Sequence, residues 1–302
     1  MNDLNVTESV NVNSLTIDEM GSMNIVTLML EEDRAIHQGI KQALPNVAKV
    51  VDLIVEQWKL GGRVFVVGAG TSGRLGVLDA VELGPTFSIE DNRWIGLIAG
   101  GKEAMWSPLE QHEDEIAIIE NELRNHSLNK KDVVIGVSAS GSTPYSVTAI
   151  KYAKKLGAKA VSISCNHNTI SSQLSDCGIE VIAGPEVIRG STRLKAGTAQ
   201  KIILNMISTA TMIQLGKVYQ NQMVDMQLIN KKLVKRAEQT LMDLVNISEN
   251  EAKDLMTKSN HDLKAAIFIN ITQTELPLAK NYLEREKGHL KNAISSYFKE
   301  NS

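Results

Sequence analysis

Hydroxyl-bearing residues gather on three glycine-containing stretches of this chain, and hydroxyls beside glycine suit a small phosphate. The first is Gly68-Ala69-Gly70-Thr71-Ser72-Gly73, which closes a short apolar run and opens a helical pattern. Such a turn aims backbone N–H groups and the positive end of a helix at an anion. Its G-x-G-x-x-G spacing is also a dinucleotide fingerprint, but that reading needs an acid at the tip of the next strand. The tip reads Ala99-Gly100-Gly101-Lys102, and Glu90 and Asp91 precede the strand at its wrong end. A small phosphate held by Thr71, Ser72 and Gly73 is the expectation. The plain alternative for Ser72 is a helix N-cap.

The second stretch is Ser138-Ala139-Ser140-Gly141-Ser142-Thr143-Pro144. Ser138, Ser140, Ser142 and Thr143 form a neutral hydroxyl cage, with Pro144 suited to the first position of a helix. The third, Gly190 to Thr198, adds Ser191 and two cations, Arg193 and Lys195, that could neutralise a ligand's charge. Alone it would read as a surface loop. Neither of the first two turns has the G-x-x-x-x-G-K-[ST] pattern of nucleoside triphosphate hydrolysis. Glu82 interrupts the apolar end of the helical pattern that follows the first turn.

Short apolar runs at Arg63–Val67, Trp94–Ala99, Asp132–Ser138, Ala160–Cys165 and Ile179–Ala183 read as strands. Between them lie helical patterns at about Ser72–Leu83, Pro108–Arg124, Pro144–Leu156 and Ile170–Ser175. This alternation predicts an α/β fold, a parallel sheet with helices on both faces. Ligands of such sheets bind beyond the carboxyl ends of the strands, which selects the loops after Val67, Ala99 and Ser138. Upstream, a polar extended arm to about Asn24 precedes two helical patterns over Ile25–Lys59, broken at Pro45. Downstream, Gly197–Leu215 reads as a buried helix. Three or four small helices follow, at Leu241–Val245, Ala252–Met256, Leu263–Ile271 and Tyr282–Tyr297, so a helical unit begins near Lys235.

The formal net charge of −3 gives no basic field for nucleic acid or an anionic membrane. No apolar run approaches the ~20 residues needed to span a bilayer. The first residues lack the basic start and apolar run of a signal peptide. Cys165 and Cys177 are too few for a disulfide framework, and the six histidines form no metal-ligand pattern. A reduced cytoplasm is the expected home.

Together the hydroxyl-rich loops resemble the sugar isomerase (SIS) phosphosugar-binding fold. GAGTSGRLGVLDAVELGPTF from Gly68, GLIAGG from Gly96, SASGSTPY from Ser138 and GSTRLKAGTAQKIILNM from Gly190 resemble the N-acetylmuramic acid 6-phosphate etherase family. The matches run in order from about Thr7 to Asp225. The resemblance implies an SIS domain with its N-terminal helical arm over 1–234 and a small three-helix, UBA-like domain over 235–302. It implies a carbon–oxygen lyase of amino-sugar recycling that converts N-acetylmuramic acid 6-phosphate to N-acetylglucosamine 6-phosphate and D-lactate. The family's two functional glutamates fall on Glu82 and Glu113, with Glu110 and Glu115 as close alternatives to Glu113. Ser142 stands where some relatives carry arginine, and Arg189 alters the approach to Gly190.

Two carboxyl groups of differing pKa suffice for this reaction without metal or nicotinamide. In the open-chain sugar the aldehyde acidifies the carbon 2 proton, a base removes it, and an acid protonates the departing lactate oxygen. Water then adds to the unsaturated aldehyde. Glu113 is assigned as base and Glu82 as acid and later activator of water, an order that can be reversed. If Ser72 to Glu82 is one helix, Glu82 lies roughly 15 Å from the turn that opens it. Either the helix breaks early, or Glu82 serves a neighbouring copy's substrate in a homodimer. The competing readings are a phosphosugar isomerase and a non-catalytic sugar-phosphate-binding regulator on the same fold.

Overall fold

Valine- and isoleucine-rich runs, too apolar for a surface, form the sheet at the centre of the chain. In this computed structural model, residues 5–228 and 230–301 are described; residues 1–4, 229 and 302 and the side chain of Glu110 lie outside the described residues. The strands are β1 (Val64–Gly68), β2 (Trp94–Ile98), β3 (Val133–Val137), β4 (Lys159–Ser164) and β5 (Cys177–Glu180). All pairings are parallel, in the order β2-β1-β3-β4-β5. β1 and β3 are buried along their whole length, as strands covered on both faces must be. The chain winds one way from β1 to β2 and the other way from β3 onward. The ends of β1 and β3 lie side by side, with Gly68 opposite Val137. That is the topological switch point where such sheets bind ligands.

Two compact units result: Met1–Val81 with Asn92–Ser208, and Glu82–Asp91 with Thr209–Ser302. The first holds the sheet. Its helices include α1 (Ser22–Lys59), α3 (Ile116–Asn125), α4 (Pro144–Lys155) and α5 (Ile170–Leu174), while α2 (Gly70–Phe87) and α6 (Lys195–Gln214) run on into the second. Phe65, Val67, Val134, Tyr145 and Ile150 form part of the core against one sheet face.

The break expected at Pro45 does not occur: α1 is one helix with the proline inside it. Its buried stripe, Ile36, Ile40, Ala43, Val47, Val50 and Ile54, continues across the proline. Burying that stripe outweighs the roughly 3 kcal/mol that an interior proline costs. Gly39 and Asn46 anchor the same region. A Cβ on Gly39 would lie 2.3 Å from the Ile182 carbonyl oxygen, and Asn46 donates to the Gly178 carbonyl at 2.8 Å.

The N-terminal arm is likewise not plainly extended. It makes three single 3-10 turns, Val6–Glu8, Val12–Ser14 and Ile17–Glu19, with Thr7, Asn11 and Ser14 buried. Asn11 donates to Glu32 at 2.7 Å and to the Pro185 carbonyl at 3.3 Å, long-range partners invisible to local pattern.

The second unit carries the hairpin β6 (Val218–Tyr219) and β7 (Gln222–Met223). Its helices are α7 (Lys231–Val245), α8 (Glu249–Lys258), α9 (Leu263–Thr272), α10 (Leu276–Arg285) and α11 (Leu290–Glu300). Among the described residues, five helices thus stand where three or four were expected. The run read as one helix from Tyr282 to Tyr297 breaks after Arg285, where Lys287 and Gly288 take left-handed φ values of 54° and 81° between α10 and α11. Phe268 stacks on Tyr282 at 5.7 Å within this unit's core, with Leu241, Met256 and Leu263 around it. Among the described residues no helix is long and apolar enough to cross a membrane.

Candidate active site

The turn between β1 and α2 is shaped by its glycines. Gly70 takes a φ of 51°, where a side chain is strained, and opens α2. A Cβ on Gly73 would sit 2.6 Å from the Gly68 carbonyl oxygen and from Ile98, so the helix start packs directly on the strand end. This packing holds the first-turn N–H groups of α2, which have no partner inside the helix, at the carboxyl end of β1.

The Ser72 hydroxyl does not cap the helix. It is buried and donates to Gln200 Oε1 at 2.9 Å, so its hydroxyl proton is used inside the fold. Gly197 of α6 packs near the Thr71 methyl, a Cβ there meeting it at 3.3 Å.

After β3, the loop from Ser138 to Thr143 folds around one hydroxyl. Ser138 Oγ lies 3.1 Å from Ser140 Oγ and 2.8 Å from Thr143 Oγ1, and it accepts from Gly141 N at 3.0 Å. Thr143 occupies the N-cap position of α4 without capping it through its side chain, and Pro144 is the first helical residue. Its hydroxyl is therefore left with the loop. Gly141, at a φ of 71°, lets the loop settle on Thr169, since a Cβ there would lie 2.4 Å from Thr169 Cβ.

The helix expected over Pro108–Arg124 is divided. A 3-10 turn, Glu110–Asp114, precedes α3, because Glu115 leaves helical geometry with a ψ of 78°. That turn carries Glu113.

These elements surround one cavity of about 400 Å³. Of the expected site residues, Thr71, Ser72, Glu113, Ser140, Thr143 and Ser191 line it. Arg193 lines it too, with Thr192 and with Thr7 and Glu8 of the N-terminal arm. No local signal marks Thr7 and Glu8: the arm reaches the cavity through Asn166, far along the chain, whose Oδ1 accepts from Thr7 N at 3.1 Å.

Five expected residues are not among the lining. Gly73 serves the close packing described above. Ser138 is buried behind the loop, and the exposed Ser142 donates to Ser140 Oγ at 3.0 Å. Lys195 is 2% exposed and its Nζ pairs with Glu32 at 2.8 Å, so its charge is spent inside the fold. Glu82 is exposed on α2, which runs unbroken past it.

Glu186 is nearly fully buried and accepts from Lys195 N and Ala196 N, both at 2.9 Å, capping α6. Burial pushes its carboxyl up, against the pull of those two N–H groups. The start of α6 is thus occupied by a protein carboxylate. Burial raises the Cys165 thiol to about 12, which removes it as a thiolate nucleophile at neutral pH.

The cavity can therefore offer hydroxyls and helix-start N–H groups to a phosphate, a carboxylate from Glu113 to a proton, and a cation from Arg193.

Sequence models of two families match the chain. The SIS domain covers residues 117–210, and the glucokinase regulatory protein N-terminal SIS domain covers residues 46–154. Among its relatives is N-acetylmuramic acid 6-phosphate etherase 2 of Bacillus licheniformis, 55% identical over 97% of this chain and 98% of that protein. Etherase 1 of the same organism is 45% identical over 97% and 96%. The N-acetylmuramic acid 6-phosphate etherase of Staphylococcus saprophyticus is 46% identical over 96% and 99%.

Proposed function

The chain belongs to the N-acetylmuramic acid 6-phosphate etherase family, and we propose that its 400 Å³ cavity is where a lactyl ether is eliminated. It is a carbon–oxygen lyase acting on N-acetylmuramic acid 6-phosphate, yielding N-acetylglucosamine 6-phosphate and D-lactate, a reaction of cell-wall amino-sugar recycling. The observation that carries the site is the convergence of the two hydroxyl-rich turns with Glu113 at the switch point of the sheet.

The phosphate lies between the α2 start and the Ser140–Thr143 loop, within reach of two helix dipoles. The open-chain sugar extends toward Glu113, whose carboxylate takes the proton from carbon 2. The electron pair moves toward carbon 3 and the carbon 3–oxygen bond breaks. A second carboxyl group, Glu82, gives its proton to the departing lactate oxygen, then accepts one from water as that water adds at carbon 3. Carbon 2 regains a proton from Glu113, so both carboxyl groups end as they began.

Glu82 stands roughly 18 Å along α2 from Gly70, on a helix without a break. This favours the second of the two expected arrangements, in which Glu82 completes the site of a second copy in a homodimer. Leu78 and Val81, exposed at 48% and 60% beside it, support a protein surface covering that face of α2. The domain division near residue 234 and a cytoplasmic location, where a phosphorylated sugar is retained, belong to the same proposal.

Release of lactate from N-acetylmuramic acid 6-phosphate by the purified protein tests the reading. A protein that binds the sugar phosphate and releases no lactate refutes it.

A further inference from the structure

The N-terminal arm forms part of the cavity wall, and it is built in rather than laid across. Asn166 holds it from two sides: its Oδ1 accepts from Thr7 N, and its Nδ2 donates to Thr7 Oγ1, each at 3.1 Å. The same Nδ2 donates to the Ala139 carbonyl at 3.2 Å, so one side chain ties the arm to the hydroxyl-rich loop. Arg189 Nε donates to the Glu8 carbonyl at 2.7 Å. Further along, Glu32 accepts from Asn11 at 2.7 Å, from Asn13 at 2.8 Å and from the buried Lys195 at 2.8 Å. With its backbone fixed at Thr7 and Arg189, Glu8 presents its carboxylate at the cavity. Gly190 faces it, and a Cβ there would come within 3.4 Å of Glu8 Oε2.

We propose that Glu8 is a sugar-anchoring residue, accepting hydrogen bonds from neutral donors of the amino sugar. This deepens the etherase reading and rests on it for the identity of the ligand. An ionised carboxylate only accepts, so it suits the sugar's hydroxyls and acetamido N–H and repels phosphate. The hydroxyl loops attract the phosphate while Glu8 disfavours it on the arm side. The two together orient the ligand with its phosphate on the α2 and α4 starts. Glu8 acts on binding and orientation and transfers no proton.

The test compares wild type with Glu8→Gln, a nearly isosteric change, and Glu8→Ala. KM and kcat for lactate release are measured, with inhibition by inorganic phosphate and thermal melting alongside. Losing a hydrogen bond to a charged acceptor predicts a KM raised about 10- to 100-fold in Glu8→Ala. The expected kcat stays within about threefold, and phosphate inhibits as well as before or better once a negative charge is gone. An unchanged KM overturns the proposal, as does a fall in kcat alone. A phosphate inhibition constant that rises in step with KM also overturns it, because a purely structural arm would weaken both. If the wild type releases no lactate, the etherase reading fails by itself. Calorimetric binding of N-acetylglucosamine 6-phosphate to wild type and Glu8→Ala then decides: weaker binding by the variant supports Glu8, and equal binding overturns it.

Discussion

Gly68 and Gly73 face each other across the turn from β1 to α2, and neither has room for a side chain. A Cβ on Gly68 would lie 2.7 Å from Gly73 N, and one on Gly73 would lie 2.6 Å from the Gly68 carbonyl oxygen. The contact is backbone against backbone, so no rotamer change relieves it. Gly73→Ala is expected to cost about 1–3 kcal/mol of stability and to weaken phosphate inhibition, as the α2 start moves off the strand end. Denaturant unfolding and phosphate competition check the two effects together.

Ser140 and Thr143 line the cavity, and Thr143 does not spend its hydroxyl on capping α4. Each hydroxyl removed is expected to raise KM for the phosphosugar about tenfold, with a smaller effect on kcat. Ser142→Ala, which lies outside the lining, is expected to change KM much less. Steady-state kinetics of the three single variants check the ranking.

Removing either glutamate proposed as catalytic, Glu82 or Glu113, is expected to lower lactate release by about 10²- to 10⁴-fold. Glu113→Gln in deuterated water is expected to lose exchange at carbon 2 as well, if Glu113 is the proposed base at that carbon. Glu82→Gln is expected to keep such exchange while releasing little lactate. Nuclear magnetic resonance of the recovered sugar distinguishes the two, and the reverse pattern would exchange their roles.

A shared site makes a further demand. If Glu82 of one copy serves the site containing Glu113 of the other, mixing the two inactive variants restores activity. Random pairing in a homodimer gives about a quarter of the wild-type rate. A mixture as inactive as its components would remove the shared site.

Asp79 of α2 is buried, and its Oδ1 accepts from Asn205 at 2.6 Å and from Ser208 at 3.0 Å. Burial raises its carboxyl above the ordinary 3.8, although both hydrogen bonds pull the other way. The folded state therefore holds this proton at pH values where the unfolded chain has lost it. Its stabilising contribution is full below pH 3.8 and is lost as pH rises through the raised value. The stability of Asp79→Asn relative to wild type should climb across that window, as followed by denaturant unfolding at several pH values.

Much of this architecture is local in origin and legible without coordinates. The strands of the sheet are continuous apolar runs because both of their faces are covered, and each helix start after β1 and β3 is marked by glycine or proline. Elements whose geometry depends on distant partners were harder to read. Pro45 marks a break by local rule, yet α1 continues because its buried stripe spans the proline. The polar arm reads as extended until Asn166 and Glu32 supply its hydrogen bonds.

By itself the sequence determined the α/β order, the hydroxyl-rich turns and the motifs shared with the etherases, since these are properties of contiguous residues. Only the tertiary structure decided which hydroxyls reach the cavity. Ser138 and Ser140 have the same chemistry two positions apart, yet one is buried behind the loop and the other lines the cavity. Lys195 and Arg193 differ in the same way, one neutralised by Glu32 inside the fold and the other facing the cavity. The physical reason is that a side chain's availability is set by what else packs against it. For Glu8 and Glu113, those neighbours come from far along the chain.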